Sequence, residues 1–231
     1  KIQKLTHFMF NPRTFFTTLA LASVTSLPTL TAAPITGFDD ISLWYGSGPN
    51  RSALVLDWND GTPQDSFAWG FRWSGSATGE DLFRTVAGSI AEANAPFVPG
   101  PALPNGNGDP NLALFIRIFD FGSPAPSVDR VTYSQPGGPN HDQDSNGFND
   151  GFWSYWNAEG TGDYPASWTE GPVGFADRSL ADGSWDGFSF VEDFTGVPPS
   201  AAVAAVPEPS AMALIVLAAM GFTFLIRRRA A

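Results

Sequence analysis

The chain has 231 residues, a formal net charge of −11 and no cysteine, which excludes disulfides, cysteine nucleophiles and thiolate metal sites. Of its 12 basic residues, three precede residue 34 and three follow residue 226, and residues 34–197 set the other six against 22 acids and carry a net −16. Such a field repels nucleic acid and anionic lipid and favours cations, and no nucleic-acid partner is expected.

Lys1, Lys4 and Arg13 precede an apolar run from Phe15 to Val24, followed by small residues at Thr31, Ala32 and Ala33. That order is the layout of a secretory signal peptide, expected over residues 1–33. Residues 34–197 then make one acidic, β-rich exported domain of a length that suits a single core. Ala53 to Trp58 is apolar on both faces, Phe67 to Trp73 alternates aromatic with small or polar residues, and Asn59-Asp60-Gly61-Thr62-Pro63 between them is turn chemistry. A hairpin is expected there. Thr78 is placed to cap a helix running from Gly79 to about Ala91, with Asp81 completing a capping box. Residues 94–111, dense in Pro, Gly and Asn, read as a surface loop, and Leu112–Phe121 and Val128–Ser134 read as strands. A second loop over 135–150 precedes strands in Gly151–Trp156 and Ser184–Val191.

The expected class is mainly β (α+β): an antiparallel β-sandwich-like domain with one short helix, flanked by an N-terminal signal helix and a C-terminal transmembrane helix. Residues 198–206, rich in Ala and Pro, read as a spacer.

Three features of the domain bear on chemistry. In His141 to Asp150, oxygen ligands alternate as in the first half of a calcium loop: Asp142, Asp144 and Asn146 directly, Phe148 by its carbonyl and Asp150 through water. The twelfth position, where such a loop needs a bidentate glutamate, is Trp153, so calcium is the one cofactor to weigh, against a solvated acidic turn. All eight tryptophans lie in the domain, and Trp44, Trp153, Trp156 and Trp168 sit in loop-like surroundings suited to stacking a sugar, or else fill a small β core. His141 is the domain's one histidine, and no Gly-x-Ser-x-Gly elbow accompanies it. A carboxylate pair for glycoside hydrolysis, drawn from Asp57, Asp60, Glu80 and Asp81, has no local signature by which to recognise it.

The tail is the most specific stretch. Val206-Pro207-Glu208-Pro209-Ser210 leads into an uncharged segment, Ala211 to Ile226, that stops at Arg227-Arg228-Arg229. Sixteen helical residues reach roughly 24 Å, slightly short of a bilayer core of about 30 Å, with snorkelling arginines to make up the difference. The arginine cluster keeps that end cytoplasmic and places the domain across the membrane. Pro207 and Pro209 hold their predecessors extended, a strip that a protease reads.

This order resembles the PEP-CTERM sorting signal of Gram-negative bacteria, carried by Pro207, Glu208, Pro209 and the three arginines over residues 207–229. The resemblance implies processing by an exosortase-type membrane protease during passage across the inner membrane, then delivery to the cell surface or extracellular matrix in association with exopolysaccharide. An ordinary C-terminal anchor is the plainer alternative. The function expected is that of an exported surface or matrix protein without catalysis. The alternatives are a carbohydrate or small-ligand binding module and, second, a secreted hydrolase.

Overall fold

The computed structural model describes residues 32–206 apart from 63, 95–97, 100–102, 105–107, 121–123 and 172–173. The signal-peptide stretch up to residue 31 and the tail from residue 207 lie outside the described residues, as does the expected membrane helix over 211–226. Among the described residues no helix is long and apolar enough to cross a membrane.

The first sheet contains β1 (Trp44–Gly46), β2 (Asn50–Asp57), β3 (Ser66–Trp73), β10 (Phe152–Ala158), β11 (Thr169–Glu170), β12 (Trp185–Val191) and β13 (Val203–Ala204). Its order is β1-β3-β2-β12-β10-β11, with β13 also paired to β3. The second sheet contains β4 (Ala87–Asn94), β5 (Val98–Pro99), β6 (Leu103–Pro104), β7 (Asp109–Asp120), β8 (Pro124–Ser134) and β9 (Asn140–Asp144). Its order is β5-β4-β7-β8-β9, with β6 on β4. The expected hairpin is β2–β3, in register from Asn50 opposite Trp73 to Asp57 opposite Ser66.

Two sheets share one core, as expected for a mainly β sandwich, but the pairing is mixed rather than antiparallel. β1 and β13 run parallel to β3, β12 parallel to β2, and β4 parallel to β7. Leu54, Leu56, Phe67 and Trp69 of the first sheet meet Leu112, Ile116, Val131 and Tyr133 of the second. The Trp58 indole donates across the gap to the Val131 carbonyl at 3.0 Å. The other face of the hairpin is covered as well, with Ala53, Val55 and Ala68 under Ile35, Phe38, Trp185 and Ala202. Burial on both sides explains why β2 reads as an unbroken apolar run.

The helix α1 (Gly79–Val86) begins as expected: the Thr78 side chain accepts from the Asp81 backbone and the Asp81 carboxylate accepts from the Thr78 backbone. It ends earlier than expected, because the chain from Ala87 is drawn into β4 alongside β7. At Gly88 a Cβ would stand 2.2 Å from the Asp109 carbonyl oxygen, so this closeness demands glycine and helical continuation is lost. The loops expected at 94–111 and 135–150 contain the short strands β5, β6 and β9 and the start of β7.

Candidate functional site

On the outer face of the second sheet lies a groove of about 790 Å³ lined by Ala113, Leu114, Phe115, Arg117, Asp129, Arg130, Thr132, Asp144, Asn146 and Asn149. A β-bulge shapes it. Phe115 pairs with Arg130 and Ile116 with Val128, which leaves Asp129 as the extra residue of β8. Its buried carboxylate accepts from the Arg117 guanidinium, from Ser145 Oγ at 2.6 Å and from the Gly147 backbone at 2.8 Å. Its carbonyl accepts from the Ser145 backbone at 2.7 Å. A buried, hydrogen-bonded ion pair thus fixes the loop that forms the groove's rim. That loop passes through three consecutive left-handed residues, Asn146 (φ 45), Gly147 (φ 67) and Phe148 (φ 70). Such backbone persists for a bulky residue only where its surroundings hold it.

The residues expected to bind calcium form part of this rim, and most of their oxygens are already engaged. Asp142 takes a two-pronged contact from Arg130, with Nε at 2.7 Å from Oδ1, and a further bond from Thr132 Oγ1 at 3.1 Å. The Arg130 bond, together with its charge, holds the Asp142 carboxyl below the usual range against the opposing effect of burial. Asp144 Oδ1 accepts from the Asn146 backbone at 2.8 Å, and Asn146 Nδ2 donates to Asp150 Oδ2 at 2.9 Å. Phe148 stands at the exposed crest of the turn. Among the described residues no three His, Cys, Asp or Glu side chains converge as a metal-holding group.

The four tryptophans expected to stack ligands do not share the groove. Trp153 is buried in the core, edge-on to Trp58 and Phe190 at centroid distances of 5.9 and 5.5 Å. Trp44 lies on Gly70, where a Cβ would come within 2.2 Å of the indole, and Arg72 covers its ring at 4.9 Å. Trp168 covers Gly187 and meets Tyr164 edge-on at 6.2 Å. Trp156, half-buried, donates to Ser154 Oγ at 3.0 Å.

The candidate catalytic groups are likewise engaged. His141 is wholly buried; its Nδ1 lies 2.7 Å from Asp60 Oδ2, and its Nε2 has no hydrogen-bond partner among Trp58, Phe67 and Tyr133. Asp81 belongs to the capping box, and Glu80 bonds Arg84 at 2.7 Å. A cluster that escaped sequence reasoning joins Asp186, Arg178, Tyr155 and Glu159. Arg178 Nε lies 2.9 Å from Asp186 Oδ1, its Nη1 lies 2.9 Å from Glu159 Oε1, and the Tyr155 hydroxyl donates to Asp186. Burial pushes Asp186 up to about 6 despite Arg178.

Residues 198–206 are seated on the first sheet rather than standing clear of it as a spacer. Ser200 N donates to the buried Asp57 carboxylate at 2.6 Å, and Tyr164 Oη donates to the Ser200 carbonyl at 2.5 Å. Ala202 N lies 3.3 Å from Tyr164 Oη, while the Ala202 carbonyl accepts from Ile35 N at 2.9 Å. β13 follows, and Ala205 N donates to the Ala68 carbonyl at 3.1 Å. Ala202, Val203 and Ala205 are buried. This strap brings the chain, on the folded domain, to the start of the proline-containing tail.

No curated protein and no solved structure matches the chain. One family description does match, and its first residue, Ala205, is bonded through its backbone to the first sheet. A motif of that description implies export with exosortase-type processing and sorting to the cell surface. Residues 205–229 are a PEP-CTERM protein-sorting motif.

Proposed function

We propose that this is an exported protein of the cell surface or extracellular matrix, brought across the inner membrane by a signal peptide, held there by residues 211–226 and handed on by an exosortase-type protease, with no catalytic role. The observation that carries the reading is the sorting motif joined without free linker to an acidic, disulfide-free β-sandwich. The candidate acids of a hydrolase being used as caps, ion pairs and strap anchors supports a non-catalytic part. Its test is cell fractionation of the tagged full chain in a host with such a sorting system. Material on the surface, lacking the arginine end, is expected. Full-length material kept in the inner membrane would speak for a plain anchor.

The groove favours a second reading, a carbohydrate-binding role toward exopolysaccharide. Ala113 and Phe115 offer an apolar floor for the C–H face of a sugar, and Thr132, Asn146 and Asn149 offer hydroxyl and amide groups for its rim. Two arginines and two aspartates line it in balance, which suits an uncharged polar ligand. Affinity electrophoresis through the host's own exopolysaccharide tests it. Retardation lost in the Asn146→Ala, Asn149→Ala double variant supports the reading, and equal mobility of both proteins refutes it.

A further inference from the structure

The outer edge of β3 is shared between two short strands. β13 occupies it at Phe67 and Ala68, while Gly70 N donates to Leu43 O at 2.8 Å and β1 pairs from Gly70 to Arg72. Beyond Ala68 the edge of β3 is taken by Leu43 and β1, and Pro207 brings no N–H with which to extend a ladder. From Ala205 to Ala211, where the uncharged segment begins, there are six Cα steps, about 22 Å at full extension. A domain so tethered to a bilayer stays at its surface, and electrostatics decides which side it turns inward.

Residues 34–206 contain six cations, all arginine. Arg84, Arg117, Arg130 and Arg178 are in ion pairs. Arg51 and Arg72 are in none among the described residues, and both stand over Trp44, at 5.9 and 4.9 Å from its ring. Arg51 also borders a small cleft with Asp39, Asp40 and Asp163, which leaves Arg72 as the cation for an outside anion. Arg72 and Trp44 lie on the edge from which the tail departs. A guanidinium and an indole side by side suit the headgroup layer, the one for lipid phosphate and the other for the interface.

We infer that, before processing, the short tether holds the domain edge-on at the membrane against the repulsion its net −16 meets there, with the β1–β3–β13 edge turned to the lipid and Arg72 and Trp44 at headgroup level. This rests on the reading of residues 211–226 as the membrane-embedded part of the tail. The net −16 of the domain turns its remaining faces outward, and the opposite edge, β11, stands five strand spacings away, about 24 Å.

The absence of cysteine makes the test direct. Single cysteines at the exposed Ser47, beside β1, and at the exposed Thr169, on β11, carry a donor dye in the full chain, reconstituted into bilayers of phosphatidylcholine with phosphatidylglycerol. Energy transfer to a headgroup acceptor places the Ser47 dye close to the lipid and the Thr169 dye about 20 Å further out. In the Arg72→Glu variant, transfer from Ser47 falls at least twofold. Equal transfer from both sites overturns the inference, as does a Thr169 dye nearer the lipid, or an Arg72→Glu variant indistinguishable from its parent. A chain that resists integration, judged by alkaline extraction, overturns the membrane-tail reading and this inference with it.

Discussion

Replacing Tyr164 by Phe removes one oxygen and nothing else, yet that oxygen holds the strap at two points. Tyr164 Oη donates to the Ser200 carbonyl at 2.5 Å and lies 3.3 Å from the Ala202 amide, while the ring packs edge-on against Trp168 and Trp185. The ring contacts survive the change. A lost hydrogen bond contributes about 1 kcal/mol, and an amide left unpaired under cover costs about 1–3 kcal/mol, so the variant is expected to lose about 2 kcal/mol. For a domain of this length that is roughly 4–8 °C in Tm. The assay is a thermal melt of residues 34–206 together with hydrogen exchange at the amides of Ala202 and Ala205. Both amides are expected to be protected in the parent and to exchange faster in the variant. An unchanged Tm, with both amides exchanging freely in the parent, would refute the claim that the strap is part of the fold.

Asp186 supplies a pH dependence. Its folded pKa of about 6, raised from 3.8 by burial, means that the folded chain holds this proton to higher pH than the unfolded one. Its stabilising contribution is complete below about pH 3.8 and is lost as pH rises to about 6, a fall of roughly 3 kcal/mol. Denaturant melts of parent and Asp186→Asn should therefore diverge in slope across this window, and parallel curves would contradict the assignment. Gly70→Ala sets a methyl group against the Trp44 indole; displacement of that ring is expected to cost about 1–3 kcal/mol and to shift tryptophan emission, and a fully stable variant with unaltered emission would contradict the packing. Calcium at the acidic turn requires Asp142 to leave Arg130, so a calcium-dependent rise in Tm should be larger in Arg130→Ala than in the parent. If 10 mM calcium, about ten times the weak end of extracellular sites, moves neither, the loop is a structural turn.

Local chemistry was legible where it acts over a few residues. Thr78 and Asp81 announce the helix start, and the turn residues after Trp58 announce the β2–β3 hairpin, because caps and turns are decided by neighbours in the chain. The helix end was not legible, since Ala87–Asn94 contains good helix formers and is claimed instead by β7, about 25 residues further along. The parallel pairing of β12 with β2 joins residues more than 130 positions apart and leaves no local mark. In the strap, small residues and prolines that read as a flexible spacer are those that fit closely: Pro199 lies over Gly187, and Ala205 meets Ala68.

The groove was half legible. Its rim stood out as the acidic turn Asp144 to Asn149, but its floor and its support did not, because a bulge in β8 brings Asp129 beneath the turn. A lone arginine inside the most apolar strand, Arg117, and an Asp-Arg pair inside the next were the available signals. The tryptophans show the converse. Neighbouring Gly and Ser residues suggested exposure for Trp153, whereas strand alternation turns it into the core.

Mass spectrometry of the mature protein's C-terminus, in parent and Glu208→Ala, tests the central claim most directly. The parent is expected to end beyond Val206, with the strap retained and Arg227 to Arg229 absent, while Glu208→Ala accumulates as precursor in the inner membrane. An intact arginine end on the surface protein, together with unchanged release of the Glu208→Ala chain, would contradict sorting by this tail.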